Sequence, residues 1–224
     1  MGLSISPATA EDLEDAKTIC GIDPFDGGFA SPLVRMCWPI SNPHNVEVLR
    51  RRAEWSMAQQ LDILRNDPSV RMTKVVDDTT GEIVNLARWQ DYSEGYVDPP
   101  NTPSGVSGIK DTSDISTWPE ELQVERFLDI LKTLFAARQN WMGRGKYWVL
   151  TTMVTREPYR KRGAGSLTLE WGLEQARKDG IPVFLEAAPA AKRLYEKHGW
   201  RQVGKQVSDI GGQKIEIARM RADP

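Results

Sequence analysis

The chain has little of what metal chemistry or cross-linking needs. Its 224 residues include two histidines, His44 and His198, and two cysteines, Cys20 and Cys37. Neither pair has the short spacing of a metal site, so no metal is expected. Two cysteines with no secretory segment ahead of them read as reduced thiols of a cytoplasmic protein, not as a disulfide framework. Charge of one sign is missing too. Lys and Arg number 29 against 31 Asp and Glu, a formal net charge of −2. Such a balance gives no overall field for nucleic acid, and any anion binding must be local. No apolar run approaches the roughly 20 residues of a membrane span. The opening MGLSIS does match the N-myristoylation pattern at Gly2 and Ser6. One acyl chain holds a membrane only marginally, however, and residues 3–6 read better as a first strand.

Hydrophobic residues make up 40% of the chain and include eight tryptophans, enough for the core of one domain over residues 1–224. Thr9 caps a predicted first helix, with Glu11 and Asp12 in its first turn. Val46, Leu49, Ala53, Met57, Leu61 and Leu64 recur at helical spacing and predict a longer one. The triplet Arg50, Arg51 and Arg52 lies largely off that stripe and reads as a solvated face. Two β-branched runs around residues 77–81 predict a hairpin. Residues 91–118 are rich in Pro, Gly, Ser and Asp and read as a long loop insertion. Thr117 and Glu120 then form a candidate capping box for a third helix. A strand over residues 146–155, a helix closed by Gly180, a strand in IPVFLEA, a short helix closed by Gly199 and a final strand pair complete a mixed α/β order.

Between the strand and the helix stands REPYRKRGAGS, four cations around two glycines. A helix start leaves backbone N–H groups unpaired and carries partial positive charge. Glycines let an anion approach that backbone, so the turn suits phosphates. It lacks the Lys-[Ser/Thr] of a P-loop and the third glycine of a dinucleotide fingerprint. The pattern [Arg/Gln]-x-x-Gly-x-[Gly/Ala] does fit, at Arg160, Gly163 and Gly165. Alone it would occur in about one chain in five of this length, so its neighbours must decide.

They do. MVTREPYRKRGAGSLTLEWGLEQA, followed by IPVFLEAAPAAKRLYEKHGWRQVG with its Leu-Tyr-x-x-x-Gly-Trp ending, resembles the GNAT superfamily of acetyl-CoA-dependent N-acetyltransferases. The close resemblance covers residues 146–207, and the loop wording is similar to that of fungal members. It implies a mixed, mostly antiparallel central sheet flanked by helices, with one central strand pair splayed apart. It also implies that acetyl-CoA is the cosubstrate. Backbone at Met153, Val154 and Thr155 would hold the pantetheine arm. Arg162, Gly163, Ala164, Gly165 and Ser166 would hold the pyrophosphate, with added charge from Arg160 and Lys161. Tyr195 would be the general acid.

The base is where the chain departs from the family. Its central strand has no carboxylate, leaving Glu186, Asp91, Glu94 or a water chain as alternatives. Near Ala188 the Asn or Ser of many relatives is also missing. His198, at a helix end, is expected to meet the last carbonyls of that helix. The resemblance implies a small-molecule amine as acceptor, with a protein or peptide acceptor, or a non-catalytic coenzyme A sensor, as alternatives. The 91–118 insertion is expected to cover the acceptor site, with Tyr92 and Tyr96 as flat contacts.

Overall fold

A computed structural model describes residues 2–15, 37–38, 45–97, 118–210 and 213–224. They fall into two compact units, one of Thr9–Pro68 with Asp98–Met142, the other of Met1–Ala8, Ser69–Val97 and Gly143–Pro224.

The first unit is helical. Helix α1 (Ala10–Asp15) opens on a reciprocal cap. Thr9 Oγ1 accepts from the Asp12 N–H at 3.3 Å, and Asp12 Oδ2 accepts from the Thr9 N–H at 2.7 Å. Asn45 Oδ1 caps α2 (Val46–Asn66) through the Val48 N–H. The arginine triplet departs from the expected solvated face. Arg50 is exposed between Glu47 and Glu54, each 2.6 Å away, and Arg51 pairs with Glu121. Arg52 is buried, its guanidinium 5.4 Å over the Trp38 ring, and burial pulls its pKa down to about 10. An α-helix rotates each successive side chain by about 100°, so three adjacent residues meet three environments.

Helix α3 (Val124–Met142) also begins later than the candidate capping box. Thr117 lies outside the described residues, and Glu120 sits in a turn closed by the Leu122 N–H on the Pro119 carbonyl. The first helical bond runs from the Phe127 N–H to the Gln123 carbonyl. Trp38, Trp55, Trp118 and Phe127 form an edge-on aromatic cluster with centroids 5.6 to 6.2 Å apart.

The second unit carries a seven-stranded sheet in the order β1-β2-β3-β4-β5-β7-β6. Its strands are β1 (Leu3–Pro7), β2 (Val70–Asp77), β3 (Ile83–Tyr92), β4 (Tyr147–Thr155), β5 (Val183–Ala187), β6 (Arg201–Ile210) and β7 (Gln213–Ala222). Only β4 and β5 run parallel. The β2–β3 turn is built by Asp77, whose carbonyl accepts from Gly81 N–H at 2.8 Å and whose side chain accepts from Thr79 N–H at 2.9 Å. Gly81 supplies the positive φ this turn needs.

Helices α4 (Ala164–Asp179) and α5 (Lys192–Lys197) supply the core of one sheet face, where Leu169, Leu173, Leu194 and Tyr195 meet Trp89, Leu150, Leu185 and Met220. Gly172 is there because nothing larger fits: a Cβ would overlap the indole of Trp89. The expected mixed, mostly antiparallel sheet with helices against it is the fold observed.

Candidate active site

The site begins where a ladder stops. Parallel pairing between β4 and β5 runs through Trp148–Val183, Val149–Phe184 and Leu150–Leu185, and goes no further. Strand β4 continues to Thr155 against β3, while Glu186 and Ala187 of β5 stay with β7. The two strands therefore part at Leu150 and Leu185, as the expected splay requires. On β4 the departure coincides with a bulge. The β3 register shifts between Arg88 and Trp89 and leaves Thr151 as the extra residue, an arrangement that bends a strand and increases its twist. Arg88 Nε donates to Thr151 Oγ1 at 2.9 Å, and that hydroxyl donates to the Arg88 carbonyl at 3.0 Å. Alternate backbone groups of Thr151–Thr155 point to the side that β5 has left. A pantetheine-like amide chain fits that vacated edge, since it offers the groups a strand would.

Past Thr155 the chain makes one short 3₁₀ turn, Glu157–Tyr159, and enters α4 at Gly163. No side chain caps this helix start. Gly163 has φ +99° with open space where a Cβ would project, and Lys161 holds φ +62°. A non-glycine residue there is held at a cost of about 1–2 kcal/mol, a local strain of the kind that accompanies ligand loops. The first intrahelical bond is from the Leu167 N–H to the Gly163 carbonyl at 3.0 Å, which leaves the N–H groups of Ala164, Gly165 and Ser166 in the unpaired first turn. A Cβ at Gly165 would come into van der Waals contact with Leu194 and Met153, so the helix start, α5 and β4 converge at that glycine. An anionic diphosphate fits a bare, positively polarised helix start flanked by Arg160, Lys161 and Arg162.

Of the four cations, Arg156 belongs to the frame. It is ion-paired with Glu82, which also accepts from Tyr159 Oη at 3.0 Å, and the Arg162 guanidinium lies 5.5 Å over the Tyr159 ring. Arg160 Nε donates to the Thr155 carbonyl at 3.2 Å. Beneath them, buried Asn85 joins helix to strand: its amide donates to Thr155 Oγ1 at 2.8 Å, and the Thr168 hydroxyl donates to its Oδ1 at 2.7 Å. Glu82, Asn85 and Thr168 escaped the sequence reading. Their only signal is polarity at strand and helix positions that pattern alone gives to core or solvent.

Tyr195 is buried on α5 in the cluster that holds Leu185 and Ala187, and burial raises its phenol to about 12. Glu186 alternates with those two residues and so projects from the opposite face of the sheet. Acid and base candidates thus flank the splay from two sides. Asp91 and Glu94 lie elsewhere. Asp91 pairs with Trp148 at the far end of β4, is ion-paired with Arg71 at 3.1 Å and accepts from Ser93; Glu94 is exposed beyond it. Tyr92 is buried against Tyr147 and Tyr96 at that same end, so it packs the sheet. Residues 98–117 of the insertion lie outside the described residues. His198 meets a last carbonyl of α5 as expected, its backbone N–H donating to the Tyr195 carbonyl at 2.9 Å, while its ring Nε2 lies 3.0 Å from Ser166 Oγ and ties α5 to the first turn of α4.

Residues 128–200 match the model of the acetyltransferase (GNAT) family. That stretch, about a third of the chain, is similar to the family. A curated relative, the Ajellomyces capsulatus protein named acyltransferase SID5, is 33% identical over 64 residues, 29% of this chain and 44% of that protein. The matched stretch thus spans less than half the length of that relative. Among solved structures, one described as histone acetyltransferase HPA2 and related acetyltransferase, from Corynebacterium glutamicum, is 21% identical at a TM-score of 0.60, covering 100% of this chain and 97% of its own. The C-terminal condensation domain of Ebony reaches 0.62 at 13% identity, and the mosquito protein described as arylalkylamine N-acetyltransferase like 5b reaches 0.59 at 13%, each covering 100% of both chains. At these identities the chain shares their fold, and nothing finer follows from the likeness.

Proposed function

We propose that the protein moves the acetyl group of acetyl-CoA to a primary amine of a small-molecule acceptor by direct attack, with no covalent enzyme intermediate. One observation carries this reading. The β4–β5 ladder ends at Leu150 and Leu185, beside an uncapped glycine helix start on the same strand–helix connection.

Bound acetyl-CoA supplies the acetyl group as an activated thioester. The N–H groups of Gly163 to Ser166, with Arg160, Lys161 and Arg162, hold its diphosphate, and the backbone of Met153, Val154 and Thr155 holds its arm. One of those β4 N–H groups, already fixed in the sheet, also supports negative charge developing on the carbonyl oxygen. Glu186, on the other face, takes a proton from the arriving amine, which must be neutral to attack. Tyr195 Oη donates a hydrogen bond, and in the end a proton, to the departing sulfur. A phenol near 12 stays protonated at any working pH, as a donor must. It is a weaker acid than an ordinary thiol near 8.5, so its proton moves only as charge builds on a sulfur in the same dry surroundings. Holding two reactants in line is the larger contribution.

Acetyl-CoA with a panel of primary amines tests the reading, by thiol release and by mass spectrometry for the N-acetyl product. Stoichiometric product and thiol are expected. Binding of acetyl-CoA with no turnover on any amine would instead indicate a coenzyme A sensor.

A further inference from the structure

One buried side chain links the two elements between which coenzyme A would lie. Asn85 of β3 is completely buried. Its Nδ2 donates to Thr155 Oγ1, at the end of β4, at 2.8 Å. Its Oδ1 accepts at 2.7 Å from the hydroxyl of Thr168, in the second turn of α4. That hydroxyl also lies 3.2 Å from the Ala164 carbonyl at the helix start, and Thr168 is as fully buried as Asn85. Asn85 and Thr155 are cross-strand partners, so their side chains leave the sheet together on the side of α4. Ala87 and Trp89 follow Asn85 on the same face of β3, in the apolar core under that helix.

A buried amide is costly to desolvate, and an apolar side chain of the same shape would fill such a layer with little loss of stability. What apolar contact lacks is direction, because burial rewards area and not angle. Two hydrogen bonds on opposite sides of one planar amide fix both distance and angle between the groups they join. The far end of α4 has a tie of the same kind: Trp148 Nε1, on β4, donates to Asp179 Oδ2 at 2.7 Å. The helix is thus bound to the sheet by polar contacts near both ends, and Asn85 serves the end with the bare N–H groups.

Resting on the cofactor reading above, we propose that Asn85 is a positioning residue for coenzyme A. It sets the separation between the β4 edge at Thr155, which holds the arm, and the start of α4, which holds the diphosphate. Being wholly buried, it acts through Thr155 and Thr168 and not by contact with the cofactor. Arm and diphosphate belong to one molecule, so its two ends can engage together only at one separation. A joined ligand gains over its separate pieces only when the geometry allows that.

The test compares coenzyme A with two of its pieces, pantetheine and ADP, in the wild type and in Asn85→Leu. Calorimetry reads the whole cofactor and ligand-observed NMR reads the pieces. Coenzyme A should bind the variant about 10-fold more weakly, a part of what joining contributes, while each piece changes by less than about 2-fold. A side chain that only supported the fold would weaken whole and pieces alike. Thr168→Val breaks the helix side of the tie and should show the same loss for the whole cofactor alone. Thr168→Ser keeps the hydroxyl and should keep the wild-type ratio of whole to pieces. Equal losses for whole and pieces, undiminished coenzyme A affinity in a folded Asn85→Leu protein, or loss of the fold in both Asn85→Leu and Thr168→Val would overturn the proposal and leave the cofactor reading standing. Failure of coenzyme A to bind the wild type would overturn that reading, and this proposal with it.

Discussion

Tyr195 offers one polar atom to the site, and burial decides how that atom behaves. Tyr195→Phe keeps the ring in its cluster and removes the proton, so kcat should fall about 10- to 1000-fold in a chemistry-limited thiol-release assay, with acetyl-CoA affinity unchanged by calorimetry. The raised pKa also has a stability sign. Burial favours the neutral phenol, so its contribution is whole below the unfolded value of 10 and is lost as pH rises through about 12. The difference in unfolding free energy between the wild type and Tyr195→Phe should therefore fall across that window. Gly172 makes a second prediction at this scale. Gly172→Ala drives a methyl into the Trp89 indole, and overpacking of this kind costs about 1–3 kcal/mol in a denaturant titration. Tyr195 was legible because Leu194, Gly199 and Trp200 frame it in a family signature. Arg88 was not, because an arginine in a β-branched run looks like any outward strand residue until the register sets it beside the splay.

At the scale of elements, the strand–loop–helix unit from Tyr147 to Asp179 was visible almost whole, from an apolar strand run to the closing Gly180, which adopts φ +66°. What holds the loop came from further away. Glu82, beside the β2–β3 turn, braces Arg156 and Tyr159 and, through that ring, sits behind Arg162. Glu82→Ala should loosen the loop and weaken acetyl-CoA binding about 2- to 5-fold while kcat at saturation changes little. Partly exposed pairs of this kind are worth no more than about 1 kcal/mol. A calorimetric titration, with circular dichroism to confirm the fold, measures it. A 74-residue separation between Glu82 and Arg156 cannot be read from local pattern, nor can the burial of Arg52, which follows from where one helical turn points it.

For the whole molecule, the family wording implied the sheet class and the splay, and both are present. Strand order was beyond local periodicity: the last two strands read as a hairpin, and only the structure shows β7 entering between β5 and β6. The splay could be expected only through resemblance, because parallel pairing that stops after three residue pairs leaves no periodic trace in either strand. The central claim is that this splay and the bare start of α4 together seat a coenzyme A diphosphate. Titrating coenzyme A, and separately pantetheine, into the wild type and into Gly163→Val tests it most directly. Valine is strained at φ +99° and crowds the approach to the helix N–H groups, while the loop lies outside the core. Coenzyme A should bind the folded variant at least about 10-fold more weakly, with the pantetheine affinity nearly unchanged. Undiminished coenzyme A affinity in a folded Gly163→Val protein would contradict the claim.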